Sequence, residues 1–133
     1  MPRYKNQKRI RNRGKKSNNL KFRMRKIAAN YILLPGFELV RNGYVILENG
    51  EVVDVVDTGG EIKEIPCLEF YGGLIVADQV REELTWMPGD DLCGRIRRLY
   101  QDNVMNKNGL ALVQGADFAR MLWTPEARII HLR

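Results

Sequence analysis

NGYVILENGEVVDVVDTGGEIKEIPCLEFYGGLIV, residues 42–76, alternates β-branched runs with turn residues and sets the chain among β-rich folds. YVILE (44–48) and EVVDVV (51–56) have the composition of paired strands. Asn49-Gly50 joins them, and both residues tolerate the positive φ required at the centre of a type I′ turn, whose twist matches that of the flanking strands. Thr58-Gly59-Gly60 breaks the ladder. Ile62 and Ile65 then lead through Pro66 into a short strand, CLEFY, which Gly72-Gly73 closes before the chain resumes as LIV.

Upstream, Ile27–Leu34 reads as a strand stopped by Pro35-Gly36, where one backbone angle is fixed and the next is freed. Downstream, the apolar period changes from two to 3.6. Val80, Leu84 and Met87 form one helical stripe and Leu92, Ile96, Leu99 and Tyr100 a second, with Met87-Pro88-Gly89 as the stop between them. Asp78 is placed to cap the first helix, and Asp90 or Asp91 the second. GLALVQG (109–115) and ARIIHLR (127–133) read as two more strands around a turn-rich ADFARMLWTPE (116–126). The expected fold is α+β and mainly β. It is a small β-sandwich or partly open barrel over residues 27–133, with two helices (78–105) inserted between early (27–76) and late (110–132) strands.

The 133 residues and 44% apolar content suit one domain with a modest core. No run approaches the roughly 18 apolar residues of a membrane span, so no membrane partner is expected. Twelve basic residues fall in the first 26 positions and no acid precedes Glu38. A segment of +12 therefore stands before a body of −6. Residues 1–26 are too poor in apolar side chains to join a core and are expected to be disordered. Three roles fit this segment. Lys8, Arg9, Arg11, Arg13, Lys15 and Lys16 could contact nucleic-acid phosphates. A solvated extension fits better, with Met24 in MRKIAANYI as a natural start. Targeting for export fits least, because IAANYILL is short and carries Asn30. Cys67 and Cys93 form no CxxC, which implies reduced thiols in the cytoplasm.

The stretch Ile27–Val76 resembles the N-terminal part of the amidohydrolase superfamily. In that family a strand and an Asn-Gly hairpin lead to a Gly-x-hydrophobic strand that enters a metal-binding (β/α)8 barrel. LALVQGADFARMLWTPEARIIHLR (110–133) is similar to the end of such enzymes, where the chain returns from the barrel to complete the small β-domain. Between the two, the Pro-Gly and His-x-His that would follow the entering strand are replaced by Ala77-Asp78-Gln79-Val80. The resemblance thus implies the small composite domain without its barrel. It carries no catalytic residue or metal ligand to this chain, whose single histidine is His131.

Other chemical candidates have structural explanations. His131 alternates with Ile130 and Leu132 on a terminal strand and reads as an ordinary, partly exposed histidine. Cys67 has no base near it in sequence. Asp90-Asp91 suits a helix start and Glu82-Glu83 a solvated helix face better than either suits a hard cation. Gly59-Gly60 and Gly72-Gly73 lack the spacing of a phosphate loop. The aromatic residues are spread among apolar positions and are expected in the core. A sandwich without its barrel must cover the face on which the barrel packed. The two helices or a second copy of the chain are the natural covers, with Leu84, Trp86, Leu99 and Trp123 as interface candidates. The reading is a non-catalytic binding or assembly module of unknown partner, or a homodimer, without a cofactor. The alternatives are a nucleic-acid-associated protein and an accessory subunit that completes a hydrolase site in another chain.

Overall fold

The computed structural model describes residues 24–59, 66–102 and 109–132. In chain order these form β1 (Met24–Leu33), β2 (Val40–Glu48), β3 (Glu51–Val56), β4 (Leu68–Ala77), α1 (Gln79–Glu83), α2 (Leu92–Asp102), β5 (Leu110–Gln114) and β6 (Arg128–Leu132). Among the described residues the fold is mainly β with two helices, as the periodicities imply, but the strands lie in a single open sheet rather than in the two facing sheets of a sandwich. The six strands make one open mixed sheet in the order β3-β2-β1-β4-β5-β6. Only β1 and β4 run parallel; every other neighbouring pair is antiparallel.

The β2–β3 hairpin follows directly from its turn. Asn49 (φ 53°) and Gly50 (φ 86°) both take positive φ, and Glu48 faces Glu51 across the ladder. β1 starts at Met24, ahead of the expected Ile27, because Arg25 and Lys26 have partners in β2 and Arg25 also pairs with Glu69 of β4 at 2.7 Å. Gly72-Gly73 does not end a strand. Ala29 faces Tyr71 and Tyr31 faces Leu74, so Asn30 alone opposes both glycines in a β-bulge within a continuous β4. The Gly73 N–H donates to Asn30 Oδ1 at 2.9 Å, giving the bulged backbone a side-chain acceptor.

Leu74–Ala77 and Leu110–Val113 are buried residue after residue, so both faces of the sheet are covered there. α2 contributes Leu92, Ile96, Leu99 and Tyr100 to the same core. At about 1.5–3 kcal/mol for each fully buried large side chain, this packing outweighs any cap in holding the helix. Of the two aspartates expected to start α2, Asp91 is the cap, its Oδ1 accepting from Gly94 N–H at 3.2 Å. Asp90 instead accepts from Met87 N–H at 2.8 Å.

α1 is shorter than its stripe implies and ends at Glu83, with Leu84 already extended. Beyond it the backbone is claimed by a distant segment. Gly89 N–H donates to the Trp123 carbonyl (2.8 Å), Trp123 N–H to that of Asp90 (2.9 Å) and Leu92 N–H to that of Met121 (3.0 Å). Met87, expected on the helical stripe, is 64% exposed. Lys8, Arg9, Arg11, Arg13, Lys15 and Lys16 lie outside the described residues, as do Ile62 and Ile65. Among the described residues no helix is long and apolar enough to cross a membrane.

Candidate binding site at the carboxyl ends of the parallel strands

Parallel pairing brings the ends of β1 and β4 together, with Leu33 opposite Val76. Just past that pair the strands part, and the Tyr100 hydroxyl of α2 stands in the gap. It donates to the Leu33 carbonyl at 2.7 Å and accepts from Ala77 N–H at 3.0 Å, so one side chain extends the ladder by a step. Burial pushes the phenol far above its ordinary range, against the weaker opposing pull of the Ala77 N–H, and keeps the donor protonated.

Beyond this bridge opens a cleft of about 340 Å³. Leu34, Pro35 and Phe37 after β1, Ala77 at the end of β4 and Leu110 at the start of β5 supply most of its lining. Gly109, just before β5, and Glu51 and Val52, from the start of β3, complete it. Among the described residues of the lining, Glu51 alone is ionisable. Such a wall selects by shape and apolar contact, with one carboxylate to orient what enters.

Next along the chain is Asp78, buried although charged. It occupies the expected N-cap position of α1, but its carboxylate makes no cap hydrogen bond. Arg81 holds it in a two-pronged pair, Nε to Oδ1 at 2.8 Å and an Nη to Oδ2 at 2.9 Å. His131 of β6 lies 3.1 Å from Oδ1 through Nδ1; a carboxylate can only accept, which places the imidazole proton on that nitrogen. His131 is partly exposed, as its position implies, and it also ties the last strand to the end of β4. Burial works to raise the pKa of Asp78, but the hydrogen bonds from Arg81 and His131 prevail and hold it below 3.8.

A depressed folded-state pKa stabilises the fold above the unfolded value and loses that contribution as pH falls through the folded value. The destabilisation produced by Asp78→Asn is therefore expected to be full at pH 6 and to shrink as pH falls below 3.8. Urea unfolding of both proteins across this range checks it; a difference that stays constant with pH would count against the pairing.

The four expected interface residues have different fates. Trp86 and Trp123 stack, with centroids 4.9 Å apart and planes 14° from parallel. The Arg95 guanidinium lies over Trp86 at 4.9 Å, ion-paired with Asp90 at 2.8 Å and donating to the Thr85 carbonyl at 2.7 Å. Leu99 is in the core, and Leu84 is half-buried against it. Asp90 and Asp91 are occupied by the turn and the cap. Among the described residues no group of three or more His, Cys, Asp or Glu side chains is placed to hold a metal ion.

Cys67 is exposed and sits in the left-handed region (φ 59°), whereas Cys93 is half-buried. Burial raises the Cys93 thiol, with Arg97 opposing it. Cys67 is therefore expected to react with an aromatic disulfide reagent at least about tenfold faster than Cys93, a difference that single Cys→Ser variants would assign. The chain matches no family model, no curated protein and no solved structure.

Proposed function

We propose that this chain is a non-catalytic binding module, a relative of the small β-domain of the amidohydrolases that lacks their barrel, and that its cleft takes an apolar segment of a protein partner or of a second copy. The observation that carries this reading is the end of β4. Where the resembled enzymes place their first metal ligands, this chain has Asp78, whose oxygens are occupied by Arg81 and His131. The neighbouring cleft has an apolar wall with Glu51 at its rim. Saturated charge beside apolar concavity favours recognition by burial over turnover. Reduced cysteines fit a cytoplasmic setting.

A photo-crosslinking residue at Val52, on the cleft wall, tests the reading against the same residue at Phe70, which is exposed and outside the lining. The expected result is a discrete protein adduct from position 52 and none from position 70, its mass separating a partner from a second copy. No adduct from position 52, or a purified protein that retains stoichiometric metal and hydrolyses amides or esters, would overturn it.

The basic segment favours a second reading, nucleic-acid association through Lys8, Arg9, Arg11, Arg13, Lys15 and Lys16. It predicts RNA binding by fluorescence anisotropy that weakens steeply between about 50 and 200 mM salt and is lost when the chain starts at Met24. Binding retained by the shortened chain would place recognition in the folded body instead.

A further inference from the structure

At the β1–β4 bulge, a smaller concavity of about 220 Å³ is lined by Asn30, Tyr31, Arg41, Asn42 and Phe118. Among the described residues none in the lining is acidic, although the body of the chain carries six more acids than bases. Arg41 spends its guanidinium on the face of Tyr31, 5.7 Å from the ring centre, and no described carboxylate pairs with it. Asn30 is oriented by the bulge: its Oδ1 accepts from Gly73 N–H, which leaves its amide nitrogen as a donor. Asn42, held at φ 54° with its main-chain carbonyl accepting from the Thr58 hydroxyl, is the second asparagine of the same lining. Tyr31 and Phe118, with centroids 5.6 Å apart and planes 31° from parallel, form an aromatic floor.

We propose that this concavity binds a small planar anion, a carboxylate carried on a single aromatic ring. A guanidinium edge receives a carboxylate through two parallel N–H donors, and it can do so while its face remains on Tyr31. The carboxamides of Asn30 and Asn42 supply further neutral donors, and the ring of the ligand packs against Phe118 and the edge of Tyr31. The volume lies below the roughly 300 Å³ at which drug-sized pockets begin, which limits the ligand to one ring. Arg41 provides the charge selectivity and the aromatic floor the shape selectivity.

The test is a titration of the full-length, isotopically labelled chain with benzoate, followed by backbone amide shifts, with benzamide as the uncharged counterpart. Saturable shifts centred on Asn30, Tyr31, Asn42 and Phe118 are expected, with a Kd on the order of 1 mM for so small a ligand. Benzamide and the Arg41→Gln variant should each weaken binding by about tenfold. Arg97→Gln, which removes an exposed charge from α2, should leave it unchanged. Shifts that do not saturate at about ten times that concentration, that centre elsewhere, or that are equal for benzamide or for Arg41→Gln would each overturn the proposal. The dispersion of the variant's own spectrum shows directly that it has folded.

Discussion

Gly73→Ala is expected to destabilise the chain by about 3–5 kcal/mol, a large part of the roughly 5–15 kcal/mol that holds a domain together. Two effects add. The backbone at Gly73 has φ +131°, a conformation in which an L side chain is strained, and a Cβ there would run into the carbonyl of Val113 on β5. That carbonyl is backbone in a paired strand, with Leu74 opposite Val113, and cannot move aside without loosening the ladder. Gly36→Ala is the control: φ is +87°, but a Cβ there meets nothing within 4 Å. Only the backbone penalty of about 1–2 kcal/mol applies to it. With about 1–3 kcal/mol per molar urea for a small protein, Gly73→Ala should lower the unfolding midpoint by a molar unit or more. Equal shifts for the two variants would show that the close approach of β4 to β5 has no energetic weight.

Tyr100→Phe should destabilise by about 2–4 kcal/mol while removing a single oxygen atom. The ring, and so its place in the apolar core, is retained. What is lost is the partner of two main-chain groups in the interior, the carbonyl of Leu33 and the N–H of Ala77. Orphaned groups of this kind carry the desolvation penalty in full, whereas an exposed hydroxyl exchanges its partner for water. Tyr71→Phe, which removes a longer and partly exposed contact with Glu69 (3.3 Å), should change stability by less than about 0.5 kcal/mol. The same geometry fixes an alkaline limit. The folded-state pKa of Tyr100 is raised above the unfolded value of 10.0, so its contribution is complete below pH 10 and declines as pH rises beyond it. Urea unfolding above pH 10 should show wild type losing stability faster than Tyr100→Phe; parallel curves would argue against the bridge.

Local chemistry was readable, and long-range pairing was not. Asn49-Gly50 specifies its hairpin because the turn and its two strands are adjacent in the chain. The stripe Leu92, Ile96, Leu99, Tyr100 specifies α2 for the same reason. Gly72-Gly73 reads as an ending because glycine pairs usually end strands. Its role as a bulge depends on Asn30, more than forty positions earlier, whose side chain accepts from Gly73. α1 reads too long because the segment after Glu83 looks helical by spacing, and the competing hydrogen bonds come from residues 121–123. The candidate site shows the same division. Asp78 and Arg81 could be paired by their spacing of three, but His131 joins them only because β6 lies at the sheet edge next to β5, and no local pattern announces that. The Tyr31–Arg41–Phe118 concavity likewise draws on three elements. No pattern local to any one of them announces it.

The strand order also governs how the molecule assembles in time. β1 emerges first of the described strands yet ends up between β2 and β4. β2 reaches it after a short loop, whereas its parallel neighbour begins at Leu68, so a growing chain must hold Ile27, Ala29 and Ile32 at an open edge until some forty further residues have been made. Chains halted before Leu68 should accordingly be cleaved by protease and associate with one another, whereas chains released after β5 should do neither. The middle of this sheet is begun first and closed late, and the interval between the two is when the nascent polypeptide is most in need of a chaperone.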